Sequence, residues 1–71
     1  MSRKVIHFHK ILHEDKTYFV VSSVGNLIYE MHAWIVDIGD EGYIIDGELY
    51  LDEGAYMNLS FAYDGYDFIV K

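Results

Sequence analysis

The chain alternates between short runs rich in Val, Ile, Tyr and Phe and short polar turns, which is a pattern that predicts β-strands. Six such runs occur, at 4–13, 17–24, 27–38, 43–51, 56–63 and 66–70. Within 56–63, Met57, Leu59, Phe61 and Tyr63 have one parity and the smaller residues Asn58, Ser60 and Ala62 the other, as in a strand with one buried face. Asp64-Gly65 joins this run to the last one and is a hairpin signal. The pattern predicts a mainly β domain, a small antiparallel meander or partly closed barrel of about six strands.

The third run, residues 27–38, fits two different structures. Its apolar residues at helical spacing are Leu27, Ile28, Met31, Trp34, Ile35 and Ile38. Asn26 would then cap the start of a helix and Gly39 would follow its end. Against a helix, the run is rich in β-branched and aromatic residues, and Gly25-Asn26 also suits a hairpin turn. The prediction is therefore a long or bent strand, with an α+β fold and a helix at about 27–38 as the alternative.

Length and composition indicate one domain, spanning residues 1–71. The apolar share of 52% is enough for a packed core, and the absence of Cys fits a reducing compartment. The basic start of the chain is not followed by the apolar core of a signal peptide. We expect a cytoplasmic protein, in the host cell cytoplasm if it is encoded by a phage.

Charge is distributed very unevenly along the chain. The net charge is −7, and residues 17–70 hold ten carboxylates but neither Lys nor Arg. Four of the five basic residues, including Arg3, lie within the first sixteen positions. A negative field of this kind repels nucleic acid and anionic membranes and attracts cationic partners. We therefore expect a basic protein or nucleoprotein complex as the partner, with no direct contact to nucleic acid or membrane.

Tyrosines are interleaved with these carboxylates in the second half of the chain. Tyrosine is common at the centres of protein interfaces, and carboxylates beside it pair with Arg and Lys of a partner. The alternative is that the tyrosines belong to the core and the acids only keep the domain soluble. The predicted partner-binding residues are Asp46, Glu48, Tyr50, Asp52, Glu53, Asp64, Tyr66 and Asp67.

This acidic, cysteine-free stretch at 17–70 resembles the small inhibitors that phages and mobile elements direct against host nucleases, such as anti-CRISPR and anti-restriction proteins. The resemblance is one of size, charge and composition. It implies an inhibitor that covers the basic nucleic-acid-binding surface of a nuclease or CRISPR-type complex, in some cases by placing carboxylates where DNA phosphates would lie. An immunity protein for a basic toxin is the alternative from the same features.

Two kinds of chemistry compete with partner binding. His7 and His9 share one side of the first run and form a weak metal-binding pair, with His13 too far along a straight strand and His32 or a carboxylate as a further ligand. This pair defines a third hypothesis, a metal-binding interaction module. Catalysis by a carboxylate pair such as Asp46 and Glu48 lacks a supporting motif, and neither a nucleophile elbow nor a phosphate-binding glycine loop occurs. We predict a protein that is not an enzyme and that needs no cofactor.

Overall fold

The computed structural model describes residues 4–22 and 25–71 and contains a five-stranded sheet and two helices. Arg3 and the predicted end of the second strand at 23–24 lie outside the described residues. The elements follow the chain in the order β1 (Lys4–His13), β2 (Lys16–Val21), α1 (Asn26–Asp37), β3 (Gly42–Ile45), β4 (Glu48–Asp52), α2 (Glu53–Ala62) and β5 (Tyr66–Val70).

The strands lie side by side in the order β3-β4-β2-β1-β5. All neighbours are antiparallel except β1 and β5, which are parallel, so the sheet is mixed. The first half of β1 pairs with β5 through Lys4–Phe8 partners, and its second half pairs with β2. The sheet is open, with β3 and β5 at its edges. The predicted β-rich character is confirmed, whereas a six-stranded meander or barrel is wrong.

Both helices pack against one face of the sheet and enclose the core there. Ile6 and Phe8 of β1 are buried on this face together with Phe19 and Val21 of β2. The remaining buried members of the core cluster come from α1, β4 and α2: Ile28, Met31, Ile35, Leu49, Leu51, Ala55 and Leu59. Phe19 stacks on Tyr56 of α2 with ring centroids 4.1 Å apart, so aromatic contacts join the helix to the sheet.

Residues Asn26–Asp37 form α1, so the alternative of a helix at about 27–38 is confirmed. Ile28, Met31 and Ile35 are buried at helical spacing. Gly39 follows the helix as expected, and the N–H groups of Gly39 and Asp40 donate to the carbonyls of Val36 and Ile35 at 3.0 Å each. This pair of bonds closes the helix end as a Schellman motif. Gly25, rather than Asn26, occupies the N-cap position.

The strand predicted at 43–51 is two strands, because Asp46-Gly47 forms the turn of the β3–β4 hairpin. Asp46 has a φ of 51° and Gly47 a φ of 78°, and Ile45 faces Glu48 across the turn. Positive φ at both central residues is the backbone of a type I′ hairpin turn, whose twist matches that of the strands.

The strand predicted at 56–63 is the helix α2. Asp52 caps it, since its Oδ1 accepts a hydrogen bond from the Ala55 N–H at 2.8 Å, and Glu53 lies in the first turn. Asp64-Gly65 therefore does not form a hairpin. It connects α2 to β5, which pairs with β1 rather than with residues 56–63.

Candidate functional site: the open face of the sheet

The sheet face opposite the helices carries a large set of aromatic and aliphatic side chains. Among residues 4–22 and 25–71, no helix packs against this face. We call this surface the open face. Strand alternation and register assign to it Val5, His7, His9, Ile11, His13, Tyr18, Val20, Tyr43, Ile45, Glu48, Tyr50, Asp52, Asp67 and Ile69.

The strand register places side chains from four strands next to one another at the centre of the open face. His9 pairs with Val20, Val20 with Tyr50, and Tyr50 with Tyr43, so one row crosses four strands. Val20 is only 4% exposed although no helix covers this face, because its neighbours on both sides are large rings. Tyr43 and Ile45 on the edge strand are 49% and 52% exposed. The centre of the open face is therefore closely packed, and its edge at β3 is exposed.

Three tyrosines from three strands enclose a groove on this face. Its volume is about 300 Å³, and Tyr18, Tyr43 and Tyr50 line it with Ile11 and Ile45. His13 lies at the β1 end of the groove, with its ring 6.5 Å from that of Tyr18. We call this cavity the tyrosine groove. A cavity of this size lies at the small end of ligand-binding sites in proteins.

Carboxylates border the groove on the side of β3 and β4. The Tyr43 hydroxyl donates a hydrogen bond of 2.9 Å to Oε2 of Glu41. This bond and the charge of Glu41 raise the pKa of Tyr43, with smaller contributions from burial, Tyr18 and Asp52. Asp52 faces Tyr18 in the strand register. The groove therefore lies in a negative field that disfavours anions and favours cations.

The structure divides the predicted partner-binding residues into two groups. Glu48, Tyr50 and Asp52 follow one another on the open face of β4, with Asp46 in the turn before them and Glu53 exposed after them. The second group, formed by Asp64, Tyr66 and Asp67, lies at or near β5.

This second group is separated from the first by the width of the sheet. Two strands stand between β4 and β5, which is roughly 14 Å in the sheet plane. Asp67 belongs to the open face, Asp64 is exposed in the connection before β5, and Tyr66 is half-buried on the helix-covered face against Tyr63. The eight residues therefore do not form one continuous patch, and the β4 group is the one that adjoins the tyrosine groove.

The histidines of β1 lie on the open face, as their spacing predicts. His7 and His9 are both exposed, but in the described parts of the chain no three His, Asp or Glu side chains come close enough to hold a metal ion. His32 is on the other face, where its Nε2 donates to the Gly42 carbonyl at 3.1 Å, so it does not complete a set with them. Asp52 and Glu53 line a separate, more open recess beside Lys16.

The contributions of Ile11, Tyr18, Tyr43 and Ile45 to the groove were missed by sequence reasoning. Alternation alone indicates that Ile11 lies on the histidine side of β1. The neighbours of Tyr18, however, follow only from the β2–β4 register, in which Asp52 is its partner. The alternation of residues along the chain does not reveal that Tyr18 pairs with Asp52.

Comparison with known proteins gave no assignment, since no family, no curated protein and no solved structure matches the chain. None of the helices in the described residues is long and apolar enough to cross a membrane.

Proposed function

We propose that this protein is a binding protein whose open face covers a positively charged protein surface, of the kind that otherwise holds nucleic acid, and so inhibits the partner. The observation that carries the proposal is a continuous row of aromatic and aliphatic side chains on the open face, of which Tyr43 and Ile45 are about half exposed, with carboxylates at its border. Stable interfaces commonly have this anatomy, with an aromatic and apolar centre inside a polar rim.

The size of the open face supports a contact that extends beyond the strands. Five strands are roughly 20 Å wide, and strands of the length of β2 and β4 are roughly 17–20 Å long, which gives about 400 Å² in projection. An interface of standard size takes about 800 Å² from each partner. A full interface therefore includes the acidic turns at the two ends of the sheet, at Glu14-Asp15 and Asp46-Gly47.

The charge supports a cationic partner. The chain carries a net charge of −7, and Glu48, Asp52 and Asp67 belong to the open face itself. The β3–β4 side of the face combines tyrosines with carboxylates, whereas β1 contributes His7 and His9 and the neighbouring β5 contributes Asp67. We infer that the β3–β4 side meets the most basic part of the partner. Association would then be steered by charge and weakened by salt.

Inhibition follows if the covered surface is a nucleic-acid groove. Such a groove is lined by Lys and Arg that hold the phosphate backbone, so an acidic protein bound there excludes DNA or RNA by occupying the same side chains. Competition of this kind requires overlap with the groove and does not require carboxylates at the spacing of phosphates.

The test is affinity capture from a lysate of the organism in which the protein acts, using three immobilised proteins. These are the wild type, the open-face variant Tyr43→Ser with Ile45→Ser, and the control Tyr29→Ser. Tyr29 is 62% exposed on α1, away from the open face. We expect a basic nucleic-acid-binding protein to be retained by the wild type and the control, lost from the open-face variant, and released by added salt or duplex DNA.

The purified partner then decides between inhibition and mere association. Inhibition predicts that the wild-type protein blocks nucleic-acid binding by the partner in a titration that the open-face variant fails to reproduce. Equal capture by all three proteins, or a partner that binds nucleic acid unimpeded in the complex, would overturn the proposal.

A further inference from the structure

The tyrosine groove differs from the rest of the open face because it is concave and combines aromatic walls with a negative border. Tyr43 and Tyr50 are direct cross-strand partners, which places their Cβ atoms about 5 Å apart. Tyr18 forms the third aromatic wall from β2, and the aliphatic side chains of Ile11 and Ile45 complete the lining. An aromatic ring has a negative face that attracts cations.

Two carboxylates strengthen this preference for positive charge. Glu41 is held against the Tyr43 hydroxyl at 2.9 Å, and Asp52 is the register partner of Tyr18. One oxygen of Asp52 accepts the capping hydrogen bond of α2, so Asp52 acts on the groove through its charge, from the neighbouring recess, and does not line it. The hydrogen bond to Glu41 raises the pKa of Tyr43, and the charge of Asp52 adds to it in the same direction.

The shape of the groove favours a long side chain with a flat cationic end. Aliphatic walls suit methylene groups, and tyrosine faces suit a planar guanidinium, which stacks on aromatic rings and pairs with carboxylates more readily than an ammonium group does. A volume of about 300 Å³ holds one side chain rather than a folded segment of a partner.

We propose that the tyrosine groove receives an arginine side chain of the partner, with the guanidinium between the tyrosine rings and the border carboxylates. This inference rests on the proposed function of the open face and names the group that the face recognises. It assigns Tyr18, Tyr43 and Tyr50 as contact residues and Glu41 as the residue that gives charge selectivity.

The experiment titrates the full chain with N-acetyl-L-arginine amide and, in parallel, with N-acetyl-L-citrulline amide, followed by NMR of the tyrosine ring signals. Citrulline matches the length and planarity of arginine but is neutral. We expect saturable shifts confined to the three groove tyrosines, and binding of arginine roughly 2- to 30-fold tighter than citrulline, the range of a cation held by aromatic rings.

Two variants and one control assign the effect to the groove. Tyr43→Leu keeps an apolar side chain but removes a ring, and it should abolish the preference for arginine. Glu41→Gln keeps a hydrogen-bond acceptor for Tyr43 and should reduce the preference without changing citrulline binding, which also makes the test independent of the folding of Tyr43→Leu. Tyr29→Leu on α1 should bind like the wild type.

The outcomes separate this inference from the proposed function. Equal binding of the two amides, or shifts unaffected by Glu41→Gln and Tyr43→Leu, would overturn the arginine groove even if capture by the open face succeeds. Selective arginine binding together with failed capture would uphold the groove and refute the inhibitor proposal.

Discussion

Leu49 and Ile45 offer a direct test that the two faces of the sheet have different roles. The two residues flank the β3–β4 turn but lie on opposite faces, since Leu49 is fully buried under the helices whereas Ile45 is 52% exposed on the open face. Replacement of either by alanine removes the same number of carbon atoms. The difference between the two variants therefore measures the environment rather than the size of the change.

The expected magnitudes differ several-fold. Leu49→Ala leaves a cavity in the core and should lower the free energy of unfolding by about 3–5 kcal/mol. Ile45→Ala removes groups of about 0.8 kcal/mol per methylene that are only half-buried, so the loss should be about 1 kcal/mol. A domain of 71 residues has a free energy of unfolding of about 4–10 kcal/mol, so only the first change brings it close to unfolding.

Urea unfolding followed by the fluorescence of Trp34 measures both values. Trp34 is the single tryptophan, and it packs against the core from α1. In thermal unfolding the two variants should differ in Tm by at least about 8 °C. If Ile45→Ala were as destabilising as Leu49→Ala, the open face would be covered in solution, and the reasoning that leads to partner binding would be refuted. A midpoint that rises with protein concentration would identify the cover as a second copy.

Three further predictions concern local structure and pH. Asp15→Gly should stabilise the protein by about 0.5–1 kcal/mol in urea unfolding, because Asp15 has a φ of 64° in the β1–β2 turn, and unchanged stability would contradict this. Gly42→Ala should cost about 1–3 kcal/mol, since the added Cβ would lie 3.2 Å from the side chain of buried Leu51; a neutral effect would show that Leu51 can shift. Burial raises the pKa of Tyr56 above its value of 10.0 in the unfolded chain, so the stabilisation is complete below that pH and is lost as pH rises through the folded pKa. The urea midpoint should fall above pH 10, and Tyr56→Phe should lessen the fall.

An Asp-Gly pair in this sequence does not by itself indicate a β-hairpin. Asp46-Gly47 and Asp64-Gly65 are the same dipeptide, but only the first forms a two-residue hairpin. The difference is what precedes each pair. Asp46 follows a strand, whereas Asp64 follows α2, and a dipeptide preference does not register that difference. An Asp-Gly turn can therefore be assigned only when the secondary structure on both sides of it is known.

The helix α2 was hidden by exposed apolar residues. Met57 is 51% exposed and Phe61 is 83% exposed, and together with Leu59 they produce the alternation of a strand. The buried residues Ala55 and Leu59 have helical spacing, and the capping residue Asp52 was a readable start signal. The exposed apolar residues therefore favoured a strand, although the helical spacing of Ala55 and Leu59 and the cap at Asp52 indicated a helix. In α1, by contrast, the apolar residues Ile28, Met31 and Ile35 are buried, so their helical spacing could be recognised in the sequence.

The arrangement of the candidate site depends on strand register, which the alternation of residues along the chain does not reveal. Composition alone is enough to propose tyrosines and carboxylates as interface residues. Their neighbours are set by which residue of β4 faces which residue of β2, and a shift of one residue would turn Tyr50 from the open face to the core. The burial of Leu49 and Leu51 prevents that shift, because both would have to leave the core.

The core on one face thus fixes the tyrosine groove on the other. A variant that loosens the core at Leu49 should therefore also weaken arginine binding at Tyr50, without any contact between Leu49 and the ligand. Measuring arginine affinity for Leu49→Ala below its unfolding transition, with the Tyr29→Leu protein as the reference, checks this coupling, and an unchanged affinity would show that the groove is held by the strands alone.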